Sequence, residues 1–471
     1  MSFFPSIFWI FFDKVFLILL STFSFFIFAI YLEPSELGKG VMFIAIPGLI
    51  AGLFSGMIES PLVSKDIIED GEYSTVLWFS AILSIVLFIF VIVIGYVLLE
   101  NENDLFLLGI ATSTIIFILI SRPFLAKLRR DNNFKSIALR AFLGKCIGFI
   151  GGVSLAIKGY GELSIVIQFV LQEFVSLCVM AFTMRSIISF SFSSKLLSNT
   201  LRMGRYLSIS ALSNSVMNNG LPLVLGTVSG TESVGLFNFS NRIVALPRDA
   251  IFNGINSYAL PSFARVQSDI MVLEKKFSDS NRLSSLLVFP VFSGLAITAP
   301  LIINTIFGDK WTDSIIYLQY LALIAIVRSL YLFHSSLFLV LKIPNIITKK
   351  ELFSSIIGLS LVFLFGRDYG PGAGVLATGF YTFTCFLWNI SAIKKAISYP
   401  TTKFIGDIFP AFCLSITMVF VVYWVENSLF YFDNNIKLIM SILSGIIVYS
   451  IGILFFENKR VGPIFRRRCK K

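Results

Sequence analysis

Apolar stretches long enough to cross a lipid bilayer recur along almost the whole of this sequence, and that recurrence limits the possible folds more than any single motif. Residues 76–99 carry no charge, a run longer than the ~20 residues a spanning helix needs. One such run would be an anchor; runs from end to end predict a polytopic, all-α membrane protein. Hydrophobic residues make up 56% of the 471 positions and charged residues 14%, which excludes a water-soluble globular chain. A transmembrane β-barrel would instead show alternating segments of about ten residues. The first twelve residues lack a basic leader and no small-residue cleavage site follows, so the first apolar run is expected to remain as a span.

Fourteen spans are predicted, near residues 8–31, 38–58, 73–99, 105–125, 136–157, 163–184, 206–228, 234–258, 284–306, 315–341, 351–366, 374–393, 406–425 and 437–456. The Lys and Arg residues gather on one set of loops: Lys127/Arg129/Arg130, Arg185/Lys195/Arg202/Arg205, Lys275/Lys276, Lys349/Lys350, Lys394/Lys395 and the tail Arg466–Lys471. The opposite loops are short and often acidic, as at Glu100/Glu102/Asp104. Basic residues mark cytoplasmic loops, so both termini are expected in the cytoplasm. One loop dissents, because 59–72, on the same side, is acidic. The net charge of +11 is then a topology signal, not a nucleic-acid-binding surface. The five cysteines are scattered without metal or redox spacing, so neither a metal nor a cofactor is expected. No loop is long enough to fold as a soluble catalytic domain, and an enzyme is not expected.

Three landmarks recur in order. Pro34-Ser-Glu-Leu-Gly38 is echoed by Thr231-Glu-Ser-Val-Gly235. Phe124-Leu-Ala-Lys-Leu-Arg129 is echoed by Phe338-Leu-Val-Leu-Lys-Ile343, and Lys158-Gly-Tyr-Gly161 by Tyr369–Gly374. Such repetition predicts two six-helix lobes running the same way and related by a pseudo-two-fold axis. The lobes are 1–205 (spans 1–6) and 206–400 (spans 7–12), with an extra helix pair and basic tail in 401–471.

Embedded polar residues are the candidates for function, because an ionisable group at mid-bilayer costs roughly 2.5–3.5 kcal/mol and must face protein or water. Arg242 stands out, in a segment that also holds Asn238, Asn241, Arg248 and Asp249. A guanidinium binds phosphate oxygens in bidentate fashion and does not lose its proton. Arg242 therefore reads as an anion contact, or else as an interhelical pair with Glu173 or Asp249. Arg248 and Asp249 read as a structural pair. Arg140 and Lys145 add positive charge to span 5, with Arg140 near enough to the interface to snorkel. Gln168, Gln172 and Glu173 share one side of span 6, where Glu173 either carries a proton or neutralises an arginine. Asn214, Asn218 and Asn219 form a polar stripe on span 7, suited to helix–helix contact or, as the resemblance given below implies, to sugar contact. Asp13 and Lys14 read as an ion pair or as a coupling pair. Arg328 and His334 fall in span 10, where a lone histidine is more often a packing residue.

The stretches Tyr31-Leu-Glu-Pro-Ser-Glu-Leu-Gly38, Gly235-Leu-Phe-Asn-Phe-Ser-Asn-Arg-Ile243, Leu246-Pro-Arg248, Leu260-Pro-Ser-Phe-Ala264, Phe307-Gly-Asp-Lys-Trp-Thr312 and Gly370–Val375 resemble a known family. That family is the polysaccharide or O-antigen flippases of bacterial envelopes, within the multidrug/oligosaccharidyl-lipid/polysaccharide exporter superfamily. The resemblance implies a few sugars on undecaprenyl pyrophosphate, turned from the inner to the outer leaflet of the bacterial inner membrane by alternating access. It also implies contact with membrane lipids and with a polysaccharide polymerase and other assembly proteins. The chain departs from many members in its acidic loop and in having fourteen spans where twelve are usual. A related lipid II flippase has fourteen, and its extra pair helps form a groove for the lipid tail; the resemblance extends that to 404–456. The competing reading in the same fold is a cation-coupled exporter of drugs or small metabolites, which would favour embedded carboxylates over embedded Arg and Lys. No Gly-x-x-x-x-Gly-Lys-Ser/Thr stretch is present.

Overall fold

The computed structural model describes the backbone of residues 3–468 apart from positions 70, 344, 398 and 430. Side chains are described over the same range apart from 3–15, 186, 205–214, 256–257, 345, 348 and 456–468. Among the described residues there is no strand. The helices are α1 (Phe3–Tyr31), α2 (Pro34–Ser64), α3 (Glu72–Leu98), α4 (Glu102–Arg130), α5 (Phe134–Ile157), α6 (Leu163–Thr183), α7 (Ser194–Ser215), α8 (Leu221–Ser229), α9 (Thr231–Ala264), α10 (Ile270–Ile302), α11 (Ile315–Ser329), α12 (His334–Val340), α13 (Asn345–Tyr369), α14 (Pro371–Ile397), α15 (Thr401–Ser428) and α16 (Asn434–Arg468). In a bilayer only helices or closed barrels satisfy every backbone polar group, so this all-helical build follows from the apolar runs.

The expected spans fall on helix, the tenth broken by a turn at 330–333 between α11 and α12, and eleven helical segments among the described residues are long and apolar enough to cross a membrane. The chain is thus an integral membrane protein. The other three expected spans fall on α1, on α7 with α8, and on α9. Among the described residues of α1, Phe16–Tyr31 forms an apolar helix. Between α7 and α8 a π-helical turn, Val216–Gly220, interrupts the ladder, and α9 carries Glu232, Arg242, Arg248 and Asp249.

The chain divides into two compact units, residues 1–238 with 359–374, and residues 239–358 with 375–471. In the first, α2 packs on α4 and α7, α5 on α6 and α1, and α3 on α4. In the second, α10 packs on α11, α15 and α16, and α15 on α16.

Within the first unit the first pair of landmarks meets face to face. A Cβ on Gly38 would lie 1.8 Å from the Thr231 carbonyl oxygen, and one on Gly235 would lie 1.8 Å from the Pro34 carbonyl oxygen. The contact is reciprocal, since Pro34 and Gly38 stand to each other as Thr231 and Gly235 do. Glycine is required on both sides because backbone touches backbone.

The other landmarks share their turn geometry. After α4 the N–H of Asn133 donates to the Leu128 carbonyl at 2.9 Å, with Asn132 in the left-handed region (φ 53°). After α12 the N–H of Ile343 donates to the Phe338 carbonyl at 2.9 Å, with Lys342 likewise left-handed (φ 59°). Both are six-to-one C-terminal closures. They pair Leu128 with Phe338, one helical turn away from the pairing of Phe124 with Phe338 suggested by side-chain likeness. Gly161 and Gly370, both at φ 51°, open α6 and α14 in the same way.

The acidic loop of the first unit also finds its explanation. Glu59, 7% exposed, accepts from Arg122 Nη1 at 3.2 Å and pairs with Arg129, both on α4. Glu72, fully buried, is paired with Lys65 and accepts from Thr200 Oγ1 at 2.7 Å. Arg130 donates to the carbonyls of Lys65 and Asp66, pinning the loop. Glu59 and Glu72, two of the carboxylates that broke the charge pattern, are thus internal counter-ions. One expectation needs correction: Lys349-Lys350 was placed in a basic loop, yet Lys350 lies within α13 and is only 2% exposed. Its stem and ammonium are taken up by the partners described below.

Candidate functional site

The segment of α9 that carries Arg242 is fixed by an aromatic clasp in the second unit. Gly308 turns left-handed (φ 78°) and starts the 3-10 turn Asp309–Ser314, which presents Trp311. The Phe239 ring stacks on Trp311 at 3.9 Å and meets Phe307 edge-on at 4.9 Å. Ser240 Oγ donates to the Ser314 carbonyl at 3.0 Å. These contacts hold residues 239–240 and so set the rotation of Asn241 and Arg242, which follow on the next part of the helical turn.

Arg242 is half-buried, makes no direct ion pair or hydrogen bond among the described residues, and lies within electrostatic reach of Asp249. Arg248 Nε donates to Asp249 Oδ1 at 3.0 Å, the structural pair expected from the sequence. Arg248 also lies within electrostatic reach of both Arg242 and Arg328. Arg328, half-buried in the last turn of α11, has no ion pair among the described residues and lies within electrostatic reach of Glu351. Three guanidinium groups therefore gather around one directly paired carboxylate. Such a cluster is costly in an apolar protein unless an anion or water completes it.

Beside this cluster lies a buried polar core that sequence reasoning missed. Lys350 Nζ donates to Asn389 Oδ1 at 2.8 Å and sits 5.7 Å from the centre of the Tyr331 ring. Thr384 Oγ1 donates to Ser354 Oγ at 2.8 Å. His334, 1% exposed, is ringed by Phe277 at 5.4 Å, Phe338 at 6.4 Å and Phe404 at 6.5 Å. It is packed as a core residue. The available signal for this core was Asn389, an amide inside an apolar span.

The other residues singled out from the sequence are placed as follows. Asn241 is half-buried beside Arg242. Asn238, one helical turn before Arg242, gives its Nδ2 hydrogen to the Val234 carbonyl at 3.0 Å. In the first unit Arg140 Nη1 donates to Ser176 Oγ at 2.9 Å, tying α5 to α6. Lys145 is half-buried on α5. Gln172 Nε2 donates to Glu173 Oε1 at 3.1 Å, and Gln168 accepts from Ser24 at 2.5 Å. Asn218 is exposed in the π turn, whereas Asn219 donates to Ser215 Oγ at 3.2 Å. The side chains of Asp13, Lys14 and Asn214 lie outside the described residues.

Comparison with known proteins gives a consistent family and fold. A family model described as polysaccharide biosynthesis protein matches residues 27–316, more than half of the chain. The chain is 22% identical over 275 residues to the teichuronic acid biosynthesis protein TuaB of Bacillus subtilis (strain 168), covering 57% of each. It is 25% identical over 280 residues to the lipopolysaccharide biosynthesis protein WzxC of Escherichia coli (strain K12), covering 58% of this chain and 56% of that one. The matched stretch thus spans little more than half the length of these relatives. Among solved structures, the lipid II flippase MurJ in an inward closed conformation superposes with a TM-score of 0.79 at 19% identity, over 95% of this chain and 98% of that one. An inward-facing multidrug resistance MATE family transporter of the MOP superfamily gives 0.61 at 20% identity, over 80% and 95%. At these identities the structural likeness concerns the fold.

Proposed function

We propose, for a chain that belongs to the polysaccharide biosynthesis protein family, that it flips a lipid-linked oligosaccharide across the bacterial inner membrane. The cargo is a short saccharide on undecaprenyl pyrophosphate, moved from the cytoplasmic to the outer leaflet by alternating access. The observation that carries this reading is the cluster of Arg242, Arg248 and Arg328, paired directly only with Asp249 among the described residues. A pyrophosphate is a compact polyanion that has to leave water. Arginine forks replace its hydration with bidentate hydrogen bonds and remain charged throughout. Asn241, next to Arg242, is placed to bond a sugar hydroxyl. The prenyl tail stays in lipid while the head moves.

In this reading fourteen helices span the membrane, as two parallel six-helix lobes and a C-terminal pair, with both termini cytoplasmic. Product passes to a polymerase at the outer leaflet. An exporter of cationic compounds in the same fold is less well supported, because such a cargo needs unpaired carboxylates where this chain carries unpaired guanidinium groups.

The test is a strain deleted for this chain, complemented with wild type, Arg242→Ala or Arg328→Ala at matched expression. Sidedness of the undecaprenyl-linked precursor and surface polymer are measured. Inner-leaflet precursor should accumulate in the deletion and with both variants, and wild type should clear it. Unchanged precursor sidedness in the deletion would overturn the flippase reading.

A further inference from the structure

A groove of about 700 Å³ runs along one face of α14 in the second unit, and the flippase site does not use it. Its floor includes Thr384, Leu387, Trp388, Ser391 and Lys395, spaced i, i+3, i+4, i+7 and i+11 on a single helix face. From Thr384 to Lys395 that face is about 16 Å long. Phe353 of α13 closes one end, with its ring 6.0 Å from that of Trp388. Phe353, Leu387 and Trp388 are 51%, 52% and 39% exposed although they lie in helices apolar enough to span. A surface of this kind on a spanning helix meets hydrocarbon.

The groove is amphiphilic along its length. Lys395 is the one charged residue among those lining it, and it stands in the last turn of α14. It is exposed, as are Lys394 and Lys349, and none of the three makes an ion pair among the described residues. Lys349 lies three residues after Ile346, which also lines the groove, and so shares its side of α13.

The geometry points to a bound anionic glycerophospholipid of the surrounding bilayer, with one acyl chain along Thr384–Ser391 and its phosphate on Lys395. Charge selects the headgroup and the apolar floor selects the chain. The transported lipid is a poorer fit. Thr382, Cys385 and Asn389, which adjoin the Lys350 core, lie about a third of a turn round α14 from the groove. A lone ammonium is also a point charge, without the fork that grips a pyrophosphate. The bound lipid bridges α13 and α14.

This site stands or falls independently of the proposed transport. The test is native mass spectrometry of the purified full chain, titrated with phosphatidylglycerol or phosphatidylcholine. Lys395→Glu removes the headgroup contact, and Ser391→Trp fills the groove. Wild type should retain phosphatidylglycerol over phosphatidylcholine, with Lys395→Glu weakening that preference about fivefold or more. Ser391→Trp should lose one phosphatidylglycerol per chain, and it serves as the test if the glutamate variant does not fold. Equal retention of the two lipids by wild type, or retention unchanged in Ser391→Trp, would overturn the assignment. So would one-for-one displacement of phosphatidylglycerol by undecaprenyl phosphate from wild type, which would give the groove to the cargo.

Discussion

The two units treat buried charge in opposite ways. In the first, Glu59 has Arg122 and Arg129, and Glu72 has Lys65 and Thr200. In the second, among the described residues Arg242 and Arg328 have no direct ion pair, and the Lys350 ammonium donates to the amide oxygen of Asn389 with no carboxylate in direct contact. A membrane protein that can match its charges in one place and leaves them unmatched in another is built for different tasks there. The matched set fastens α2, α3 and α4 into a fixed body. The unmatched set is short of directly paired negative charge, which in the proposed reading a transported anion supplies.

That contrast can be broken by changing one charge at a time. The largest loss of stability is expected for Glu59→Leu, which strands the part-buried Arg122 guanidinium and should cost about 3 kcal/mol. A fall in the thermal midpoint of the purified chain measures it, and restoring part of the loss with Arg122→Met tests the pairing. Next comes Asn389→Leu, which removes the oxygen from the buried Lys350 ammonium and should cost about 2 kcal/mol. Lys350→Met in that background should recover most of it. Glu72→Gln keeps the shape and the Thr200 contact but drops the pairing with Lys65, for about 1.5 kcal/mol. The smallest change in stability belongs to Arg242→Gln and Arg328→Gln, within about 0.5 kcal/mol of wild type or slightly above it, because neither side chain has a direct ion pair or hydrogen bond among the described residues to lose. Those same variants should show the greatest loss of surface polymer. A large destabilisation by Arg242→Gln would show that the residue is structural.

Much of the fold is legible in the sequence, because a bilayer demands long uncharged runs and leaves them plain to see. The Pro34–Gly38 and Thr231–Gly235 echo was visible, but that the two segments cross backbone to backbone was not, because the sequence shows glycine on each side without showing what each one faces. The register of the Phe124 and Phe338 landmarks was not visible either. It is set by which residue turns left-handed, and Asn132 and Lys342 carry no common signature. Arg242 was conspicuous as a charge in an apolar run. Lys350 was hidden, because a Lys-Lys pair next to a helix start looks like a loop, and only packing against Tyr331 and Asn389 reveals its burial. The roles of Glu59 and Arg328 were hidden for the same reason: each depends on a helix distant in sequence.

The central claim is that the arginine cluster receives a pyrophosphate, and the most direct test is binding. Undecaprenyl pyrophosphate is added to the purified chain, to Arg242→Gln and to Arg242→Gln/Arg328→Gln, and the thermal midpoint is followed. A ligand that binds the folded state at a hundred times its dissociation constant stabilises by about 2.7 kcal/mol. The account predicts a saturable rise for wild type, a smaller one for the single variant and none for the double variant. An equal rise in all three would place the anion elsewhere and contradict it.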